Sequence, residues 1–195
     1  MTSESALNHI HKTGLFGNYE NKNEESLLKV SEINNLLIVQ IVQYKNSTVS
    51  FENIDIDSLK LKNEPQIVVS NNNTRILWNG PKNWLLISTK KDLQKNIIEI
   101  FKETDFAVTD LSHSRAIIEL EGLNVIEVLK KGCPFNFNIM NNNSSVNSTY
   151  NGIAFTVDMI GNSPNKIRLL TLRSFGESFY HSITDACLEF GYKSL

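Results

Sequence analysis

The chain has 195 residues, 41% of them hydrophobic, and a formal net charge of −2 with acidic and basic residues interspersed. That is enough apolar material for one substantial core, or for two small lobes sharing one. The even charge leaves no basic stripe to track phosphates, which argues against a nucleic-acid partner, and no apolar run approaches the roughly 20 residues that span a bilayer.

The start, MTSESALNHIHKTG, is polar and lacks the apolar stretch of a secretory signal. Cys133 and Cys187 lie far apart without metal-type spacing, so they read as two reduced, buried thiols in a cytoplasmic protein. Without a signal, the Asn-x-Ser/Thr triplets at Asn46, Asn72, Asn143 and Asn147 carry little weight as glycosylation sites. Residues 1–27 read as an arm, partly extended or disordered, with Leu15 and Phe16 as docking residues between Gly14 and Gly17. Either the arm binds a partner, or it is a loosely ordered terminus.

Residues 36–44, LLIVQIVQY, predict a strand buried on both faces. Residues 54–61 alternate as a half-exposed strand would, and 65–69 predict another that Pro65 opens. In 75–88, two apolar strands flank Asn79-Gly80-Pro81, which predicts a hairpin. Thr89 and Asp92 have the spacing of a capping box. Leu93, Ile97, Ile100 and Phe101 then repeat at helical spacing to about Thr104.

Val108 opens the next strand. In the strand after it, Ala116, Ile118 and Leu120 share one face, and Ile117, Glu119 and Glu121 the other. Gly122 precedes a helix carrying Leu123, Val125, Ile126, Val128 and Leu129. Gly132 is placed to stop it in the left-handed conformation, and Pro134 blocks continuation. Residues 141–149 read as a polar loop, 150–160 and 167–172 as strands. Ser174 and Glu177 predict a capped helix with Phe175, Phe179, Ile183, Ala186, Cys187 and Phe190 on one stripe and Gly191 at its end. The segments 85–101 and 169–190 echo each other as strand, cap and amphipathic helix. The fold class is therefore α+β: one domain over 28–195, built of two related β-α half-domains near 28–105 and 106–195. Each has an antiparallel sheet with helices packed on one face.

The chemistry is sparse. Asp110, Ser112 and His113 are triad residue types, but neighbours on a strand point to opposite faces and no Gly-x-Ser-x-Gly elbow exists. Asp110 and Ser112 instead read as side chains bonding backbone at a strand end. His9-x-His11 stands in a polar arm without further ligands, and His181 reads as a helix-flank residue. No glycine-rich phosphate loop is present. Trp78 and Trp84 read as core, or as aromatic anchors of an interface. Arg115, Arg168 and Arg173 read as solvated cations, or as clamps for a partner carboxylate or a pterin-glutamate tail. No catalytic, cofactor-binding or metal residue is assigned.

Four segments together resemble one family: ILWNGPKNWLLIS (76–88), VTDLSHSRAIIELEG (108–122), VLKKGCPFNF (128–137) and LLTLRSFGESFYHSITDACLEFG (169–191). In this order they are similar to the gamma subunit of heterotetrameric sarcosine oxidase. The Asp-Leu-Ser-His segment also resembles the wider aminomethyltransferase, or T-protein, family. Lys82-Asn83 and Leu123 depart from the pattern, where an acidic residue and a proline are common.

The resemblance implies a T-protein-like fold and a non-catalytic subunit. Its complex oxidatively demethylates sarcosine to glycine, with hydrogen peroxide and a one-carbon unit that tetrahydrofolate traps. It also implies alpha, beta and delta partners, chiefly alpha, with FAD, FMN, NAD, zinc and tetrahydrofolate held there and none in this chain. On that reading the interface lies at the 78–84 hairpin, the 133–137 turn and the arm. The alternative is a free-standing folate-binding protein or aminomethyl transferase.

Overall fold

The structure, a computed structural model, describes residues 5–195; residues 1–4, where the expected arm begins, lie outside the described residues. In chain order the first strands are β1 (Gly14–Phe16), β2 (Leu28–Glu32), β3 (Leu37–Gln43), β4 (Asp55–Ile56), β5 (Leu59–Lys60), β6 (Val68–Ser70), β7 (Thr74–Gly80) and β8 (Asn83–Ser88). Helix α1 (Leu93–Ile100) leads to β9 (Phe106–Asp110) and β10 (Arg115–Glu121), then helix α2 (Val125–Lys130). Strands β11 (Ser144–Tyr150), β12 (Ile153–Asn162) and β13 (Asn165–Leu172), helix α3 (Gly176–Leu188) and β14 (Tyr192–Ser194) follow. The chain forms two compact units. One comprises the described residues up to Asn34 with Ser114–Asn142 and Val146–Leu195; the other comprises Asn35–His113 with Asn143–Ser145.

The second unit is a five-stranded sheet in the order β6-β7-β8-β3-β9, antiparallel throughout. Leu37, Val39 and Ile41 alternate onto the face where Leu93, Ile97 and Phe101 of the α1 segment pack. Ile38 is buried on the opposite face, as a strand covered on both sides requires. Helix α1 stops before Thr104 because Phe101 turns extended and sets its ring edge-on to Phe106, centroids 4.9 Å apart. The Thr89–Asp92 capping box does not form, since α1 starts only at Leu93: Asp92 takes the N-cap position, without a side-chain cap bond, and Thr89 lies three residues before it.

The expected 54–61 strand is a hairpin, β4 against β5. Asp57 and Ser58 both have positive φ, 53° and 66°, which is the backbone of a type I′ turn. Asp57 then ties the hairpin down: its carboxylate accepts from Lys90 Nζ (2.5 Å), Thr74 Oγ1 (2.7 Å) and Asn71 Nδ2 (3.1 Å). Those bonds, led by that of Lys90, hold its carboxyl down at about 2. A folded-state value below the ordinary 3.8 stabilises the unit above that pH. The contribution is lost as pH falls through about 2. Because the Lys90 side chain is 42% exposed and its charge is screened by solvent, Asp57→Asn is expected to cost only about 1 kcal/mol at neutral pH. It should also flatten the acid limb of urea-melt stability, and an unchanged acid limb would count against the tether.

In the β7–β8 hairpin the turn falls one residue later than expected. Pro81 and Lys82 (φ 53°) make it, as a type II turn requires, and Gly80 sits in a bulge opposite Asn83. Asn63 Oδ1 braces it, accepting from the Lys82 amide (2.8 Å) and from Trp78 Nε1 (3.2 Å).

The first unit is a seven-stranded sheet, β1-β14-β2-β10-β13-β12-β11. Its described pairings are antiparallel except β14 beside β2, which is parallel. Helices α2 and α3 cover one face: Val125, Val128, Leu129, Phe179, Ile183 and Cys187 join Val30, Ile118, Leu120, Val157 and Leu169 in its core. The described part of the arm belongs here. Leu7 is fully buried, β1 pairs β14, and Phe16 stacks on Tyr192 at 5.2 Å. Strand β2 joins this unit too, because Leu28 and Val30 alternate into the same core. The units thus divide the chain differently from halves at 28–105 and 106–195.

Other expectations change. Residues 144–149 of the expected loop belong to strand β11, and Asn151 (φ 48°) and Gly152 (φ 85°) form the turn into β12. Gly132 is not left-handed: a Cβ there would lie 2.6 Å from the Tyr150 ring, whose hydroxyl donates to the Val128 carbonyl (3.0 Å). Helix α2 begins at Val125, leaving Leu123 exposed. The Ser174–Glu177 box is displaced by a 3-10 turn over Arg173–Phe175, after which α3 starts at Gly176. Among the described residues no helix is long and apolar enough to cross a membrane.

Candidate functional site

The 110–113 segment clasps the end of β3. Leu111 N–H donates to the Ile38 carbonyl (2.8 Å), and Ser112 Oγ accepts the Ile38 N–H (3.0 Å). Asp110 accepts from the Ser112 amide (2.9 Å) and from Gln94 Nε2 (3.0 Å). Burial pushes the Asp110 carboxyl up, but these bonds outweigh it and hold the group below the usual carboxylate range. A serine whose Oγ closes a strand end, beside a carboxylate bonded to backbone, is a latch rather than a nucleophile with its base.

Trp84 is 1% exposed and donates Nε1–H to the Lys62 carbonyl (2.7 Å), with Phe51 packed on it at 5.1 Å. Trp78 is half-buried and bonded to Asn63. Cys133 and Phe137 of the 133–137 turn are buried in the first unit's core. Trp84, Cys133 and Phe137 pack within their own units, and Trp78, read as core or as an interface anchor, keeps part of its surface open.

Arg168 is not a free surface cation but ion-paired and half-buried. Its Nε donates to Glu119 (2.9 Å), and Glu119 also meets Lys166 Nζ (2.8 Å). Lys166 reaches Glu121 (3.1 Å), which pairs in turn with Lys29 (3.0 Å). Antiparallel register builds this ladder, setting Glu119 opposite Arg168 and Glu121 opposite Lys166. Hydrogen bonds from Lys29 and Lys166 hold the Glu121 carboxyl below its ordinary value. Sequence reasoning missed the ladder, although Glu-x-Glu at 119–121 and Lys-x-Arg at 166–168 signal it once the strands are paired. Arg173 is half-buried, and its backbone N–H donates to the Ser114 carbonyl (2.9 Å).

His11 Nε2 lies 2.8 Å from the Leu195 carbonyl oxygen, with its ring edge-on to Tyr180. His9 and His181 are exposed. Among the described residues no group of three or more His, Cys, Asp or Glu is placed to hold a metal ion. Both cysteines are free and buried. Burial pushes the Cys187 thiol up to about 12, which makes it inert as a nucleophile.

The concavities among the described residues of the first unit include two. A shallow depression of about 510 Å³ runs along α3, lined by Asn151, His181, Thr184, Asp185 and Tyr192 among others. A cleft of about 190 Å³ lies where β10 begins and β13 ends, with Arg115 at its wall and Phe155, Leu170 and Leu172 beside it. Neither brings a nucleophile, a base and oxyanion donors together.

The sarcosine oxidase, gamma subunit family model (SoxG) matches residues 56–189. Among curated protein sequences no match is found. Among solved structures, the chain is similar to heterotetrameric sarcosine oxidase from Corynebacterium sp. U-96, with TM-score 0.81 and 21% identity over 96% of this chain and 95% of that one. It is also similar to the glycine cleavage system aminomethyltransferase T from Bartonella henselae, with TM-score 0.67 and 12% identity over 100% of this chain and 60% of that one. At these identities the structures speak to the fold, which is the α+β, T-protein-like arrangement expected. The family match covers well over half of the sequence, and the chain belongs to the sarcosine oxidase, gamma subunit family.

Proposed function

We propose that this chain works as the non-catalytic gamma subunit of a heterotetrameric sarcosine oxidase, contributing packing surface to its neighbours. The supporting observation is the family match over 56–189, joined to a fold that follows a sarcosine oxidase chain over nearly its full length. The complex would demethylate sarcosine to glycine with release of hydrogen peroxide. FAD, FMN, NAD and zinc would sit on the alpha, beta and delta subunits, and alpha would be the main neighbour. The buried, unpaired thiols suit a reducing cytoplasm.

Tetrahydrofolate fits neither of these two concavities. Its glutamate tail needs cations, yet the α3 depression is lined by Asp185 and by no Lys or Arg. The Arg115 cleft, at about 190 Å³, falls below the roughly 300 Å³ of small-molecule sites. No folate step is assigned to these residues; the transferase alternative draws its support from likeness of fold.

A tagged chain expressed with the other subunits is expected to co-purify with larger flavin-containing chains in a yellow preparation. Expressed alone it should be colourless and without turnover. Recovery from its native source as a lone, colourless monomer would sink the subunit reading.

A further inference from the structure

We infer that the cleft at Arg115 receives an acidic side chain from a neighbouring subunit, with the guanidinium closing on its carboxylate. This rests on the gamma-subunit reading and adds a specific contact to it.

Arg115 opens β10 and pairs across the ladder with Leu172, the last residue of β13. Its described hydrogen bonds go only to the preceding residue: Nη1 donates to the Ser114 carbonyl (3.3 Å) and to Ser114 Oγ (3.1 Å), both neutral acceptors. A guanidinium carries five donors in a fixed fork, and the contact with Ser114 engages Nη1 alone. The other cations of this sheet face show the contrast. Arg168, Lys166 and Lys29 all meet Glu119 or Glu121. Arg115 is half-buried, and burial alone pulls its affinity for the proton down. A partly desolvated cation is costly until an anion joins it.

The cleft is shaped for one side chain. Its lining is Arg115, three hydroxyl residues, Asn147 and four apolar residues, with no carboxylate, so its single charge is positive. Two of its hydroxyls are already spent as donors, Thr156 to Asn147 (2.6 Å) and Thr171 to the Ala154 carbonyl (2.9 Å). The volume of about 190 Å³ admits an Asp or Glu side chain. Leu172, 43% exposed at the rim, offers apolar surface to the stem of the incoming residue. Arg with aromatic or aliphatic neighbours is the composition of an interface anchor.

The test uses the chain co-expressed with its alpha, beta and delta subunits, comparing wild type with R115E, R115Q and R115K. Matching melts of the isolated chains establish that each variant folds; should R115E fail to fold, R115Q carries the test. The expected result is assembly weakened roughly 30-fold or more by R115E, less by R115Q and least by R115K. Wild-type affinity should also fall more steeply with salt than that of R115Q. If wild type assembles and folded R115E or R115Q assembles equally well, the cleft is not the contact and the inference is overturned. If wild type fails to assemble at all, the subunit reading itself fails. Acetate and succinate titrated into the isolated chain address the remaining source of a carboxylate. Tight, saturable, Arg115-dependent binding that leaves assembly untouched would make this a small-molecule site and overturn the assigned occupant.

Discussion

Trp84→Ala is expected to destabilise the second unit by about 3–5 kcal/mol, the range for truncating a fully buried aromatic. The side chain is 1% exposed and stands on β8, opposite Ile41 of β3 and Trp78 of β7. Truncation removes contacts with Phe51 and leaves a cavity among residues fixed by strand pairing on both sides. It also strips the Lys62 carbonyl of its indole donor. The melt followed by circular dichroism should fall by roughly 10 °C. Trp84→Phe should cost less, because the ring volume stays largely filled while the hydrogen bond goes. Trp78→Ala should cost about 1 kcal/mol, since the residue is half-buried. A Trp84→Ala chain that melts like wild type but no longer assembles would restore the interface-anchor reading and remove the core one.

The contrast between the two tryptophans shows where the sequence was legible. The apolar run of β3, the apolar strands around the Asn79-Gly80-Pro81 turn and the alternation of β10 marked their elements correctly, because each of these strands lies inside its sheet and must bury apolar side chains. Strand β11 escaped for the opposite reason. It is the last strand of its sheet, its Asn147 and Thr149 are exposed, and even its buried positions include Ser144 and Ser145, so composition imitates a loop. The available signal was the Asn151-Gly152 pair, a strong hairpin turn. Both proposed capping boxes had the right spacing and failed, because spacing does not fix where a helix starts: α1 begins at Leu93 and α3 at Gly176, so neither Thr89 nor Ser174 is the N-cap residue. The latch at Asp110 and Ser112 was readable from strand-end position alone. The ion-pair ladder was not, because it requires knowing which residues of β10 and β13 stand opposite each other. The same register turns Arg115 from a surface cation into the wall of a cleft.

Gly191→Ala is expected to cost about 3 kcal/mol or more, and two causes act together. Gly191 has φ +70°, where an L side chain costs roughly 1–2 kcal/mol. A Cβ there would also overlap the Asn18 carbonyl oxygen and stand 2.7 Å from its carbonyl carbon. The collision is with backbone, so no side chain can swing aside. Here the N-terminal segment crosses the end of α3, and the crossing is tight from both directions: a Cβ on Gly17 would lie 2.6 Å from Leu188 Cα. Asn18 N–H donates to the Leu188 carbonyl (2.8 Å) and Leu28 N–H to the Gly191 carbonyl (3.3 Å), so separating the chains loosens the start of β2 as well. Gly152→Ala isolates the backbone cost, because φ is +85° there and nothing lies within 4 Å of the added carbon. Protease sensitivity within residues 5–27 and amide exchange at Leu28 should rise in Gly191→Ala and stay at wild-type levels in Gly152→Ala. Equal destabilisation by the two substitutions, with Leu28 still protected in both, would mean that the crossing does not hold the N-terminal segment in place.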